Sequence, residues 1–147
     1  MAAIEIREMQ PRDIAGIIEI EQSSFTAPWS ELSFFNEIAN PNSLAKVALS
    51  ESNVIGYVCA RYVLDEGHIL NLAVHRDFRR QKIATELMDR VLAELKGKDC
   101  RLLYLEVRVS NTDAITFYER FGFKVASFRR KYYSSPNEDA ALMMRWL

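Results

Sequence analysis

The chain is poor in the side chains from which metal sites and disulfide frameworks are built: its 147 residues include two cysteines and two histidines. Cys59 and Cys100 both lie in apolar, strand-like surroundings and read as small buried hydrophobes rather than as a disulfide pair. His68 and His75 have no second ligand at helical or Cys-x-x-Cys spacing and fit none of the usual zinc patterns, so no metal is expected. Net charge is scarce as well. Nineteen basic residues against 20 acidic ones leave a formal charge of −1, with no general attraction for nucleic acid or an anionic membrane. No apolar run approaches the length of a membrane span, and the opening MAAIEIREMQ lacks the apolar stretch of a signal peptide, so a cytoplasmic location is expected. Repeats, low-complexity segments and linkers are also missing, and a single domain over residues 1–147 is expected.

What is present is concentrated at residues 71–95, where a short apolar strand, NLAV, runs through a basic turn into an amphipathic helix. Ile83, Ala84, Leu87, Met88, Val91, Leu92 and Leu95 recur at the spacing of one buried helical face, and Gly97 is the expected stop. Arg79, Arg80 and Lys82 crowd the helix start, which already carries partial positive charge. A bound anion on the free N–H groups of that turn makes sense of the cluster, and phosphate is its usual occupant. Basic side chains splayed into water are the alternative.

Around that unit the chain reads as strand, helix, helix, three strands, the basic-turn helix, strand, short helix and two strands. Residues 4–9 alternate as a strand; Pro11 opens a helix with Ile14, Ile17 and Ile18 inward. Ser30 caps a second helix that carries Phe34, Phe35 and Ile38 on one side. Glu51, Ser52 and Asn53 turn one hairpin, and Asp65, Glu66 and Gly67 lead into HILNLAV. Ser110 or Asn111 caps the short helix that Gly122 ends, and the loop SSPNED joins the last two strands.

Three side chains stand out. Leu103, Leu105, Val107 and Val109 fill one face of the strand RLLYLEVRVS, while Tyr104, Glu106 and Arg108 share the other, which sets a carboxylate in a largely covered strand. Glu106 is either paired with Arg108 or a neighbouring cation at a solvated patch, or a base in a cleft whose pKa partial burial raises. Tyr118 is either an aromatic on the inner side of its helix or a proton donor. Trp29, beside Pro28 in a loop, is either a core plug or one wall of a groove.

The whole order resembles the Gcn5-related N-acetyltransferase (GNAT) fold. RRQKIA at 79–84 is similar to that family's acetyl-CoA pyrophosphate loop, Q/R-x-x-G-x-G/A, with Arg79 and Ala84 at its ends; NLAV resembles the strand that holds the pantetheine arm and thioester carbonyl; and SNTDAITFYERFGF resembles the downstream Asn, Ala-x-x-x-Tyr, Gly-Phe block. PWS at 28–30, LEVR at 105–108, NTDAITFYERFGF at 111–123, RRKYY at 129–133 and EDAALM at 138–143 are similar to the RimI type of protein N-terminal acetyltransferase, which acts on the N-terminal alanine of the eighteenth small-subunit ribosomal protein.

That resemblance implies an α/β (α+β) fold with a central mixed, mostly antiparallel sheet of about seven strands flanked by about four helices. It implies acetyl-CoA as cosubstrate, without a metal, and the N-terminus of a ribosomal protein as acceptor. It makes Glu106 the proton acceptor and Tyr118 the proton donor. Leu72, Ala73 and Val74, then Arg79, Arg80, Gln81, Lys82, Ile83, Ala84 and Thr85, would line the acetyl-CoA site, with Asn111 a further contact. Trp29, Tyr132 and Tyr133 either wall a groove for an N-terminal peptide, with Glu138 and Asp139 in the adjoining loop, or pack a final hairpin. Lys82 departs from the pattern, standing at the first loop glycine, and ordinary helical angles are expected of it. A GNAT enzyme acting on other N-termini, lysines or small amines, and a non-catalytic CoA-binding module, are the alternatives.

Overall fold

The computed structural model describes residues 3–147. Its elements are β1 (Ile4–Glu8), α1 (Ile14–Ser24), α2 (Glu31–Ala39), β2 (Ser43–Ser50), β3 (Asn53–Val63), β4 (Glu66–Val74), α3 (Ile83–Gly97), β5 (Leu102–Arg108), α4 (Thr112–Arg120), β6 (Lys124–Tyr133) and β7 (Glu138–Trp146). The strands form one seven-stranded sheet in the order β1-β2-β3-β4-β5-β7-β6, antiparallel except for β4 against β5. That exception follows from the chain path, because α3 lies between the two strands and returns the chain to the same end.

The helices cover opposite faces. Ile83, Leu87, Met88, Val91 and Leu95 of α3 pack with Val58, Ile69, Leu103, Leu105 and Met143, and α4 lies against the same core. Ile14, Ile17 and Ile20 of α1 and Phe34 of α2 pack with Val47, Tyr57, Cys59 and Ala73 on the other face. Gly67 sits where β4, β5 and α3 meet: a Cβ there would lie 2.6 Å from Leu103 and 3.1 Å from Leu95.

Local chemistry moved several boundaries. Pro11 opens a 3-10 turn, Pro11–Asp13, rather than α1 itself, and buried Asp13 takes a bidentate ion pair from Arg7 together with the Gln10 N–H. In α1 the inward positions are Ile14, Ile17, Ile20 and Glu21, with Ile18 only half-buried. Phe35 is exposed, and Glu37 takes its inward place, where Arg61 and Ser43 satisfy its carboxylate. Glu51 and Ser52 both have positive φ, so the β2–β3 hairpin closes in two residues and Asn53 is already paired. Glu66 and Gly67 likewise belong to β4, with Leu64 as the left-handed turn residue. Gly97 is still helical, and the left-handed residue that ends α3 is Asp99, whose short polar side chain tolerates that region. Glu138 and Asp139 are the first residues of β7, not loop residues.

The feature that makes a site is the brevity of the parallel pairing. β4 and β5 are in register only from Glu66/Leu102 to His68/Tyr104, and beyond that point they diverge. Just past it, Cys59 pairs with Asn71 and Ala60 with Ile69, so Leu70 is bulged out of the β3–β4 ladder. The sheet opens there into a cleft reaching both faces.

Candidate active site

A cavity of about 220 Å³ fills the opening, lined along β4 by residues 69–72 and along β5 by residues 105–108. Glu21 and Trp29 reach it from the α1–α2 side, Asn111, Ala114 and Tyr118 from α4, and Tyr133 from the end of β6. The strand anomaly and the helix tyrosine thus come together in one space. Trp29 serves as both wall and plug: it is half-buried and leans on Phe34 at 5.1 Å while facing the cavity.

Glu106 is enclosed, its side chain 9% exposed. One carboxylate oxygen lies 2.7 Å from His68 Nε2 and the other 3.3 Å from an Arg129 nitrogen. His68 is itself held flat against Tyr104, ring centroids 4.3 Å apart. The hydrogen bond from His68 keeps the Glu106 carboxyl below its ordinary pKa, overcoming the burial that pushes the other way, and Arg129 adds to the depression. The upward shift expected from burial alone is therefore reversed by partners on β4 and β6. Its neighbour Arg108 pairs with Glu138 rather than with Glu106, and also donates to the carbonyls of Ser134 and Pro136, pinning the β6–β7 connection. Tyr118 is half-buried in α4, and burial followed by nearby Tyr133 raises its phenol well above the usual value, so it keeps its proton at neutral pH. Asn111 caps α4, its Oδ1 accepting from Ala114 N–H at 3.1 Å.

A second cavity, of about 260 Å³, lies at the start of α3. Val74, Phe78, Arg79, Arg80, Lys82, Ile83, Ala84, Thr85, Phe117 and Arg120 line it. Glu86 N–H makes the first bond of the helix, to Lys82 O, so the N–H groups of Ile83, Ala84 and Thr85 have no acceptor within it. Arg79 folds back to Val74 O at 3.4 Å. Among the described residues, none of Arg79, Arg80, Lys82 and Arg120 forms an ion pair. Lys82 does not take helical angles: at φ 62°, ψ 21° it is left-handed, as is Arg80 at φ 64°. The turn keeps the backbone path a glycine would give it and bears the steric cost of a side chain. As a donor set, free N–H groups with unpaired cations fit a phosphate-bearing ligand.

Not every expected residue lines a cavity. Ala73 is buried in the α1–α2 core, Gln81 is exposed outside both cavities, and Tyr132 lies outside the cleft with Arg129 stacked on it at 4.4 Å. Conversely no site role was expected from the sequence for His68, weighed there only as a metal ligand, or for Asn71, Arg120 and Arg129, which lie inside the stretches NLAV, NTDAITFYERFGF and RRKYY. Glu21 was passed over, and its signal was a carboxylate at an inward helical position.

A family model described as "Acetyltransferase (GNAT) family" matches residues 14–123. A Bacillus subtilis protein provisionally named a ribosomal protein bS18-alanine N-acetyltransferase is 37% identical over 94% of this chain and 92% of its own length. The Salmonella typhimurium ribosomal protein bS18-alanine N-acetyltransferase is 35% identical over 89% of each. The crystal structure of the Escherichia coli ribosomal-protein-S18-alanine N-acetyltransferase superimposes with a TM-score of 0.89 at 32% identity, covering 98% of this chain and 94% of that one.

Proposed function

The chain belongs to the acetyltransferase (GNAT) family, and from that premise we propose that it moves an acetyl group from acetyl-CoA to the α-amine of the N-terminal alanine of ribosomal protein bS18. The observation that carries this reading is the splay of β4 from β5, which brings Glu106, backed by His68 at the last paired position, and Tyr118 to one cleft beside the cationic start of α3. Acetyl-CoA supplies the acetyl group as a thioester. Arg79, Arg80, Lys82 and Arg120, with the free N–H groups of Ile83, Ala84 and Thr85, would hold its phosphates, and Gln81 would border them from outside. The β4 backbone from Leu72 through Ala73 to Val74 would hold the arm, and Asn111 keeps its Nδ2 free for a contact because its Oδ1 is taken by the cap.

An α-amine has a pKa of about 8 and arrives mostly protonated at neutral pH. Glu106, ionised and hydrogen-bonded to His68, takes the proton. Alternate N–H groups of β4 face the widened gap, where β5 no longer pairs with them, and serve a developing oxyanion. As the C–S bond breaks, Tyr118, protonated, donates to the departing thiolate, and the proton that the attacking nitrogen loses on becoming an amide restores the phenol. Trp29 and Tyr133 wall the acceptor's first residue. Tyr132 acts from outside the cleft by holding Arg129. No described helix is long and apolar enough to cross a membrane. The reading places the reaction in the cytoplasm, where ribosomal proteins and acetyl-CoA meet.

The test is acetyl-CoA turnover with free-amine peptides beginning in Ala, Ser or Met, beside an N-blocked peptide offering only a lysine. The expected order places the alanine peptide first and the lysine peptide near background. Measurable CoA binding with no turnover on any peptide would overturn the enzyme reading, and a preference for lysine would overturn the acceptor.

A further inference from the structure

Between α1 and α2 the chain crosses the mouth of the cleft, with Phe25, Thr26, Ala27 and Trp29 lining it. Both hydrogen bonds that secure this segment end on one residue. Phe25 N–H donates to the Glu21 backbone oxygen at 3.1 Å, and Trp29 N–H donates to Glu21 Oε2 at 2.9 Å. The other carboxylate oxygen, Oε1, accepts from the Tyr57 hydroxyl on β3 and, at 2.8 Å, from Asn71 Nδ2 on β4.

Glu21 is 1% exposed, and among the described residues no cation pairs with it. Enclosing a lone carboxylate is costly unless donors surround it, and attachment of α1 to the sheet does not need it, since Ile14, Ile17 and Ile20 do that on the same face. An apolar residue could not, however, grip a loop N–H with one end and a strand side chain with the other. The strand residue is telling. Asn71 directly follows the bulge at Leu70 and precedes Leu72, where the backbone run assigned to the acetyl-CoA arm begins.

We propose that Glu21 is a positioning residue that ties segment 25–29 to the β4 bulge, so that the pocket for the acceptor's first residue stays at a fixed distance from the strand presenting the thioester. This rests on the acetyltransferase reading. It requires that release of the clamp weaken acceptor binding while leaving acetyl-CoA binding alone.

Glu21→Gln keeps the shape but turns one oxygen into an amide donor; the Tyr57 hydroxyl can turn to accept from it, whereas the Trp29 N–H and, without an amide flip, Asn71 Nδ2 cannot. Tyr57→Phe removes a donor from Oε1 and spares the loop contact. Both are made in a Trp146→Phe background, leaving Trp29 as the sole tryptophan. Because an unsatisfied buried donor costs about 1–3 kcal/mol, Glu21→Gln should raise the KM of an N-terminal alanine peptide at least about fivefold. Its kcat should stay within about threefold and its acetyl-CoA Kd within about twofold, with Trp29 emission red-shifted and more easily quenched. Tyr57→Phe should leave peptide KM and Trp29 emission near those of the parent.

A folded Glu21→Gln protein with parental KM and emission would overturn the proposal. So would KM, kcat and acetyl-CoA Kd worsening by one common factor, as a purely structural role predicts. If Glu21→Gln does not fold, amide exchange of the unmodified protein decides: the Trp29 N–H should be protected well beyond those of Thr26 and Ala27, and equal exchange refutes the clamp. That readout needs no turnover, so failure of the clamp and failure of the acetyltransferase reading remain distinct.

Discussion

The two cavities are opposites in how they treat charge. In the cleft every described charge is spoken for: Glu106 by His68 and Arg129, Arg108 by Glu138, and Glu21 by three neutral donors. At the start of α3, Arg79, Arg80, Lys82 and Arg120 surround a comparable volume with no counter-charge, on a turn with two side-chain-bearing residues at positive φ. A site where protons move needs fixed dipoles and tuned acidity, which paired groups supply before the reactants arrive. A site that captures an anion needs the reverse, an unbalanced charge and open N–H groups that only the ligand satisfies. β4 borders both, with its bulge at the cleft and its last residue, Val74, at the α3 cavity.

The strongest way to break this contrast is Glu106→Gln, which removes the charge that His68 and Arg129 converge upon. Turnover at neutral pH should fall by at least about tenfold, since a general base is worth roughly 10²–10⁴. Acetyl-CoA binding, measured by calorimetry, should barely change. An unchanged rate would remove Glu106 from the mechanism.

A smaller effect is expected from the other cavity. A diphosphate diester carries about two negative charges and a phosphate monoester about −1.5 to −2, so four cations match CoA better than CoA lacking its 3′-phosphate. Dephospho-CoA should bind several-fold more weakly, roughly 1 kcal/mol, and Arg120→Gln should narrow that difference. Equal affinities for the two ligands would show that the extra cation reads nothing. Added salt should weaken CoA binding far more than it alters acceptor kinetics at saturating CoA.

Lys82→Gly sharpens the contrast with two readouts of opposite sign. Relief of the left-handed strain, partly offset by the looser unfolded chain, should stabilise the ligand-free protein by up to about 1 kcal/mol in a denaturant melt. Loss of the ammonium should at the same time weaken CoA binding a few-fold, roughly 0.5–1 kcal/mol. Tighter CoA binding by this variant would mean that the lysine obstructs the phosphates.

The smallest expected effect is on the pH dependence of stability. Because the folded Glu106 pKa is lowered, the carboxylate stabilises the fold above its ordinary value, and that contribution disappears as pH falls through the lowered value. Denaturant midpoints of the parent and Glu106→Gln should therefore converge in acid. A gap that widens in acid would contradict the assigned partners.

The element order was legible because it rests on local signals, namely the apolar stripe of α3, the Ser30 and Asn111 caps and the alternation of β5. Glu106 was legible as a carboxylate out of place, and Tyr118 through its motif. The partners of Glu106 were not, because joining His68 to it requires the His68/Tyr104 register of a parallel pair, and joining Arg129 to it requires β7 to lie between β5 and β6. Arg120 was missed for a similar reason: it reaches the α3 cavity only through the packing of α4 beside α3. The backbone of Lys82 was misjudged because a loop can impose angles that residue type alone does not reveal.

The most direct measurement is tandem mass spectrometry of bS18 from the same organism, with its initiator methionine removed, after incubation with this enzyme and acetyl-CoA. The account predicts a single acetyl group on the α-amine of the N-terminal residue, much reduced with Glu106→Gln. Acetylation confined to lysines, or none from a protein that binds CoA, would contradict it.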